Sequence, residues 1–95
     1  MSNEGYHEPI NELANETKDM HRAINTLMEE LETIDWYNQR VDACNNEELK
    51  AILTHNRDEE KEHAAMLQEW IRRQDPTFDE KLTDYIFTDK PITQE

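Results

Sequence analysis

The chain has 95 residues, with 23 acidic and 10 basic side chains for a net charge of -13, and 35% of its residues are hydrophobic. That length supports one small domain, and one so acidic repels phosphate backbones and anionic lipid while it draws in cations, so neither nucleic acid nor membrane is an expected partner. Cys44 is the only cysteine, which excludes an internal disulfide and suits a reducing compartment.

The chain opens with MSNEGYHEPI, which lacks the basic and apolar regions of a signal peptide. No later run approaches the roughly 20 apolar residues of a membrane span. Pro9 has the place of a first-turn helix proline. From there nothing breaks a helix as far as Val41, so the first helix is predicted over residues 9–42. It would be on the order of 50 Å long. Within it Ile10, Leu13, Thr17, Met20, Ile24, Leu27, Leu31, Ile34, Asn38 and Val41 recur in steps of three and four, a heptad-like seam. The stretch Asp42-Ala43-Cys44-Asn45-Asn46 interrupts the pattern, and either asparagine can cap a second helix. That helix, predicted over 46–74, carries a second seam: Leu49, Leu53, Asn56, Glu60, His63, Leu67 and Trp70. Asp75-Pro76 ends it. Phe78, Leu82, Tyr85 and Ile86 mark a short third helix over 77–87, and a flexible tail is expected over 88–95.

These elements make an all-α fold in a single domain, 1–95: an antiparallel two-helix hairpin with a short C-terminal helix. Two helices side by side bury only one stripe each, so a second copy of the hairpin is needed to complete a four-helix bundle. Oligomerisation is therefore a structural expectation that precedes any function.

The stretch RDEEKEHAAM, residues 57–66, is where charge meets the seam. Of its four acids only Glu60 falls in the apolar stripe, with His63 one turn later on the same face. Asp58, Glu59, Lys61 and Glu62 fall outside it. On the first helix Glu30 shares a stripe with Ala23, Leu27, Ile34, Tyr37 and Val41, while Glu29 and Glu32 rotate outward. An inward Glu on one helix and Glu-x-x-His on the other form half of a carboxylate-bridged di-metal site. Two copies supply four Glu and two His, the set used by ferritin-like di-iron bundles. Hard carboxylates with one imidazole per metal suit iron or manganese, and zinc less well. Glu-x-x-His by itself also recurs by chance in Glu-rich helices, so a solvated pair is the plain alternative.

The stretches HRAINTLMEELETIDWYNQRVDA at 21–43, HNRDEEKEHAAM at 55–66, EWIRR at 69–73 and YIFTDKPIT at 85–93 carry a further implication. In them the chain resembles the encapsulated ferritins, small two-helix members of the ferritin-like superfamily housed inside encapsulin nanocompartments. The resemblance runs from about residue 7 to residue 93. It implies a ferroxidase that oxidises Fe(II) to Fe(III) with oxygen at a di-iron site between two subunits. It further implies an annular decamer of five dimers, an encapsulin shell protein as partner, and a cytoplasmic location within that compartment. Calcium or zinc would be stand-in ions in crystals. By the same resemblance Glu30, Glu60 and His63 are the di-iron ligands, and Tyr37, with Trp36 beside it, is the tyrosine close to the site. Glu29 and Glu32 are the outer carboxylates at which metal arrives. Family members also carry a C-terminal targeting peptide; this sequence reads to Glu95 without one, so a shortened chain is expected and its own encapsulation is left open.

Other residues have ordinary readings. Trp36 and Tyr37 also suit interface packing, and Met66 and Trp70 suit core or interface. His7, His21 and His55 lie off the proposed site. Cys44, in the turn without a second thiol or neighbouring base, is not expected to be a nucleophile. Two other functions fit the residues: a non-catalytic di-metal-binding helical cargo protein, and an acidic helical scaffold without metal.

Overall fold

Pro9, at φ -56° and ψ 131°, leads into a single 3-10 turn, Ile10–Glu12, and not into the long helix expected there. Leu13 and Ala14 are extended. The computed structural model describes residues 5–93 and places the first α-helix, α1, at Asn15–Ala43. Ile10 remains 54% exposed, so no burial offsets the cost of nucleating a helix from Pro9. At 29 residues α1 is about 43 Å long, a turn shorter than the sequence promised. Readings that touch residues 1–4, at the start of the stretch read as unlike a signal peptide, and residues 94–95 at the end of the tail lie outside the described residues.

Residues 44–46 reverse the chain into α2, Glu47–Gln74. Of the two candidate asparagines Asn46 is the cap: its Oδ1 accepts from the Leu49 N–H at 2.9 Å. Glu47 and Glu48 stand in the first turn and Arg72 and Arg73 in the last, each favourable to the helix dipole. Asp75 closes α2 and opens α3, Pro76–Thr83, where its Oδ1 accepts from the Phe78 N–H at 3.0 Å. Pro76 has no N–H to lose in that first turn. The third helix ends earlier than the predicted residue 87. The chain turns over 84–87, and Phe87 takes φ 58°, a left-handed conformation that no α-helix can continue through. Thr88 Oγ1 donates to the Tyr85 carbonyl at 3.1 Å and ties the start of the tail to that turn. Among the described residues there is no strand, so the fold is all-α as expected.

The two long helices pack antiparallel, and α3 packs on α2. On α1 the sheltered stripe runs through Ala23, Leu27, Glu30, Ile34, Tyr37 and Val41. On α2 it runs through Leu53, Arg57, Glu60, Ala64, Leu67 and Ile71. Both step by alternating threes and fours, the spacing that keeps one helix face against its neighbour. The first seam read from the sequence is therefore only half right. Leu13, Met20, Leu27, Ile34 and Val41 are sheltered, but Thr17, Ile24, Leu31 and Asn38 are exposed. The apolar surface of α1 is broader than one neighbour can cover.

The outcome is a slender molecule with little interior. Among the described residues only Ala23, Val41, Ala64 and Ile71 are buried. The radius of gyration is 17.0 Å, against about 12 Å for a compact domain of this length. Ile24, Met28, Leu31 and Trp36 on α1, with Leu49, Ile52, Met66 and Trp70 on α2, lie open to solvent.

Candidate metal centre

Glu30 stands at the middle of α1 because it takes the place of an apolar residue in the stripe between Leu27 and Ile34. Antiparallel packing brings it opposite the Glu60–His63 turn of α2. The three side chains converge: His63 Nδ1 lies 3.1 Å from Glu60 Oε1 and 3.5 Å from Glu30 Oε2. One ligand atom from each of the three lies within 4.8 Å of the others. Among the described residues this is the one such cluster of His, Cys, Asp and Glu. Both carboxylates are largely sheltered, at 20% and 21% exposed, while the imidazole, at 45%, faces outward on one side.

The electrostatics of the cluster are unfavourable as they stand. Glu30 Oε2 is closed off from solvent and accepts no hydrogen bond. Burial pushes the Glu30 carboxyl above its ordinary value, the adjacent Glu60 carboxyl pushes it further, and His63 only partly opposes them. A desolvated carboxylate oxygen beside a second carboxylate costs free energy unless something positive joins them. A cation is the natural complement. Two carboxylates and an imidazole suit a hard or borderline divalent ion. Three side chains cannot by themselves fill the coordination sphere of such an ion. The open side at His63 leaves room for further ligands.

The rest of the charged run sorts as its phase predicted. Asp58, Glu59, Lys61 and Glu62 are exposed. Arg57 is the exception that the sequence reading passed over. Its side chain is 22% exposed, and Nη1 donates to Asn38 Oδ1 on α1 at 3.3 Å. The signal was available, since Leu53, Arg57, Glu60 and Ala64 continue one stripe in steps of four, three and four. The expectation had placed Asn56 in the seam, and Asn56 is half-buried as well.

The remaining site residues lie around the triad without joining it. Tyr37 is half-buried in the same stripe as Glu30, about 10 Å further along the axis, with the Arg40 guanidinium 5.3 Å from its ring centroid. Trp36 beside it is 43% exposed. Glu29 is exposed as expected, whereas Glu32 is half-buried and only partly outward. A groove of about 500 Å³ is lined by Glu16, Met20, His21, Ile24 and Trp70 among others and contains none of the triad. His21 stacks on Tyr6, with ring centroids 4.5 Å apart. His7 and His55 are exposed. Cys44 is half-buried in the turn, and its thiol donates to the Asn46 carbonyl at 3.5 Å. At the far end of α2 Glu69 accepts from both Arg72 and Arg73, which hold its carboxyl down at about 2, and Arg72 reaches on to Asp79 of α3.

The family model described as EncFtn-like matches residues 5–89, nearly the whole of the chain. The chain belongs to the EncFtn-like family. Curated relatives agree with that placement. One is the Encapsulated ferritin-like protein of Rhodospirillum rubrum, 59% identical over 93 residues, which are 98% of this chain and 66% of that protein. Another is the Ferritin-like protein of Thermotoga maritima, 56% identical over 94% of this chain and 78% of its own length. The chain thus spans about two thirds of the Rhodospirillum protein. Among solved structures, the crystal structure of protein ne0167 from Nitrosomonas europaea superposes with a TM-score of 0.88 at 72% identity, covering 93% of this chain and 97% of that one. The ne0167 protein thus shares the helical-hairpin fold described above. Among the described residues no helix is long and apolar enough to cross a membrane.

Proposed function

We propose that this EncFtn-like protein is a ferroxidase, which oxidises Fe(II) to Fe(III) with oxygen at a di-iron site shared between two copies of the chain. One observation carries the reading: Glu30 Oε2 is desolvated, without a hydrogen-bond donor, and 3.5 Å from His63 Nδ1. The triad is half of a ligand set, and the apolar surface left open on α1 and α2 supports pairing with a second copy that supplies the other half. Four Glu and two His would then surround two iron ions.

Iron is the substrate in this scheme. Two Fe(II) ions held side by side give one electron each to oxygen, and the carboxylates favour the ferric product. Glu30 and Glu60 bind and space the ions, and His63 supplies a nitrogen donor through Nδ1. Burial and Glu60 raise the affinity of the Glu30 carboxyl for a proton, so a proton and iron compete for it. Glu29 and Glu32 are proposed as outer carboxylates on the approach path, and Tyr37 as the aromatic neighbour that borders the site.

Relatives bear on where this happens. The Rhodospirillum protein is named as encapsulated, and a Myxococcus xanthus relative, 53% identical over half of this chain, is named Encapsulin nanocompartment cargo protein EncC. We place this protein likewise inside an encapsulin shell in the cytoplasm, as a homo-oligomer. The test is aerobic addition of Fe(II) to the purified oligomer. Rapid growth of near-ultraviolet ferric absorbance, absent from Glu30→Ala, is the expected result. Stoichiometric metal retention with only background oxidation would instead assign a non-catalytic metal-binding cargo protein.

A further inference from the structure

Arg57 belongs to an acidic run yet is turned into the hairpin. Its guanidinium bonds Asn38 Oδ1 across the helices at 3.3 Å and lies 3.4 Å from Asp58 Oδ1 on its own helix. Asp58 also forms an exposed ion pair with Lys61, Nζ to Oδ1 3.6 Å. Arg57 precedes Glu60 by one turn on the same face, and Asn38 follows Glu30 by about two turns on α1. A polar bridge, exposed at its Asn38 end, thus joins the helices one turn from Glu60 on α2 and about two turns from Glu30 on α1.

The neighbouring seam provides little else to fix register. The fully buried residues nearest the triad are the small Ala64 on α2 and Ala23 on α1, and the larger Leu27, Ile34 and Leu67 beside the triad are only half-buried. Apolar contact is non-directional, and its strength changes little when one helix slides along another. A slide by one residue displaces ligands by about 1.5 Å. Metal sites tolerate about 0.2 Å. A directional hydrogen bond from a charged donor discriminates between registers more sharply than half-buried apolar packing does.

We propose that Arg57 and Asn38 are positioning residues: their bond sets the axial register of α1 against α2 and with it the spacing of Glu30 from Glu60 and His63. The inference rests on the reading of the triad as a metal site. It assigns no contact between Arg57 and the metal.

The test is Co(II) binding to the chelator-treated full chain, followed by calorimetry and by the visible ligand-field spectrum. Asn38→Leu and Arg57→Met each remove the bond at similar side-chain size. Each is expected to lose about tenfold in Co(II) affinity, as for other groups that orient ligands, and to change the spectrum while helix content stays constant. The double variant should lose no more than the weaker-binding single variant. Asn38→Asp keeps an acceptor and should retain wild-type affinity and spectrum, and Arg73→Met, in an ion pair at the far end of α2, should do the same. Where Arg57→Met does not fold, Arg57→Lys keeps the charge without the fork, and the same loss is expected. Wild-type affinity and spectrum in both single variants, with only the melting temperature lowered, overturns the positioning role. If Glu30→Ala still loses Co(II) in that case, the metal-site reading stands. Wild-type Co(II) affinity in Glu30→Ala overturns the site and this inference together.

Discussion

His63 on α2 and Glu30 on α1 meet across the hairpin with Nδ1 and Oε2 3.5 Å apart, and that oxygen has no hydrogen-bond donor. Each helix alone presents an unremarkable charged residue at a half-apolar position. Their meeting creates a sheltered, electron-rich gap, with Glu60 closing its other side.

The first expectation concerns those three residues. Glu30→Ala, Glu60→Ala and His63→Ala should each reduce Fe(II) oxidation to the uncatalysed background, since each change removes a ligand from both halves of a symmetric site. Helix content by circular dichroism should be unchanged. Glu30→Gln, which removes the desolvated charge, should leave the chelated protein as stable as wild type or more stable by about 1 kcal/mol. Wild-type oxidation rates in all three alanine variants would falsify the di-iron reading.

Protonation of Glu30 sets a pH dependence. Its folded carboxyl lies above the ordinary 4.5, chiefly through burial. The fold therefore favours the protonated form. That contribution to the stability of the metal-free protein is fully present below the ordinary carboxyl range, and it is lost as pH rises through the raised value. Cation binding runs the other way, because the cation competes with the proton. Affinity for Co(II) should rise with pH across that window, and calorimetry in buffers of different ionisation enthalpy should show proton release. Proton release that is unchanged in Glu30→Gln would assign the titration to another group.

Assembly should govern activity. Met28 and Leu31 are 49% and 53% exposed, side by side with the Glu30 turn. Introducing a charge there, Met28→Glu or Leu31→Glu, should shift native mass spectra towards smaller species and lower the oxidation rate roughly in step. The monomeric hairpin should retain its helices because its own seam is untouched. A variant that is fully active as a monomer would show that one chain suffices.

Glu29 and Glu32 offer a test of the approach path. Replacing both with Ala should leave metal bound by Glu30, Glu60 and His63 and raise the initial oxidation rate, since paired acids retain a cation on its way in. Stopped-flow absorbance gives the rate, and a crystal of the double variant gives the bound iron. Loss of iron at the triad would move Glu29 and Glu32 into the site itself. Glu32 is the more informative of the two singles, since it is half-buried where Glu29 is exposed.

Much of this is legible in the sequence alone. The scarcity of glycine and proline left long helices as the only reading, Asn46 and Asp75-Pro76 marked their joints, and the phase of Glu60 and His63 separated them from the acids around them. Periodicity defines the direction of every side chain about its own helix axis, and that information is local. It does not say which direction a neighbour will occupy. On α1 two overlapping apolar stripes were available, and only the packing of α2 decided that Leu27, Glu30 and Ile34 are sheltered while Ile24 and Leu31 stay exposed. The late start of α1 at Asn15 has the same cause, because helix propensity near Pro9 is cancelled where nothing buries Ile10. Arg57 was hidden by its own charge: a lone arginine in an acidic run reads as solvated until Asn38 is seen opposite it. The candidate ligands could thus be named from the sequence, but their distances could not, because a distance between two helices is set by the side chains between them and by the turn that joins them.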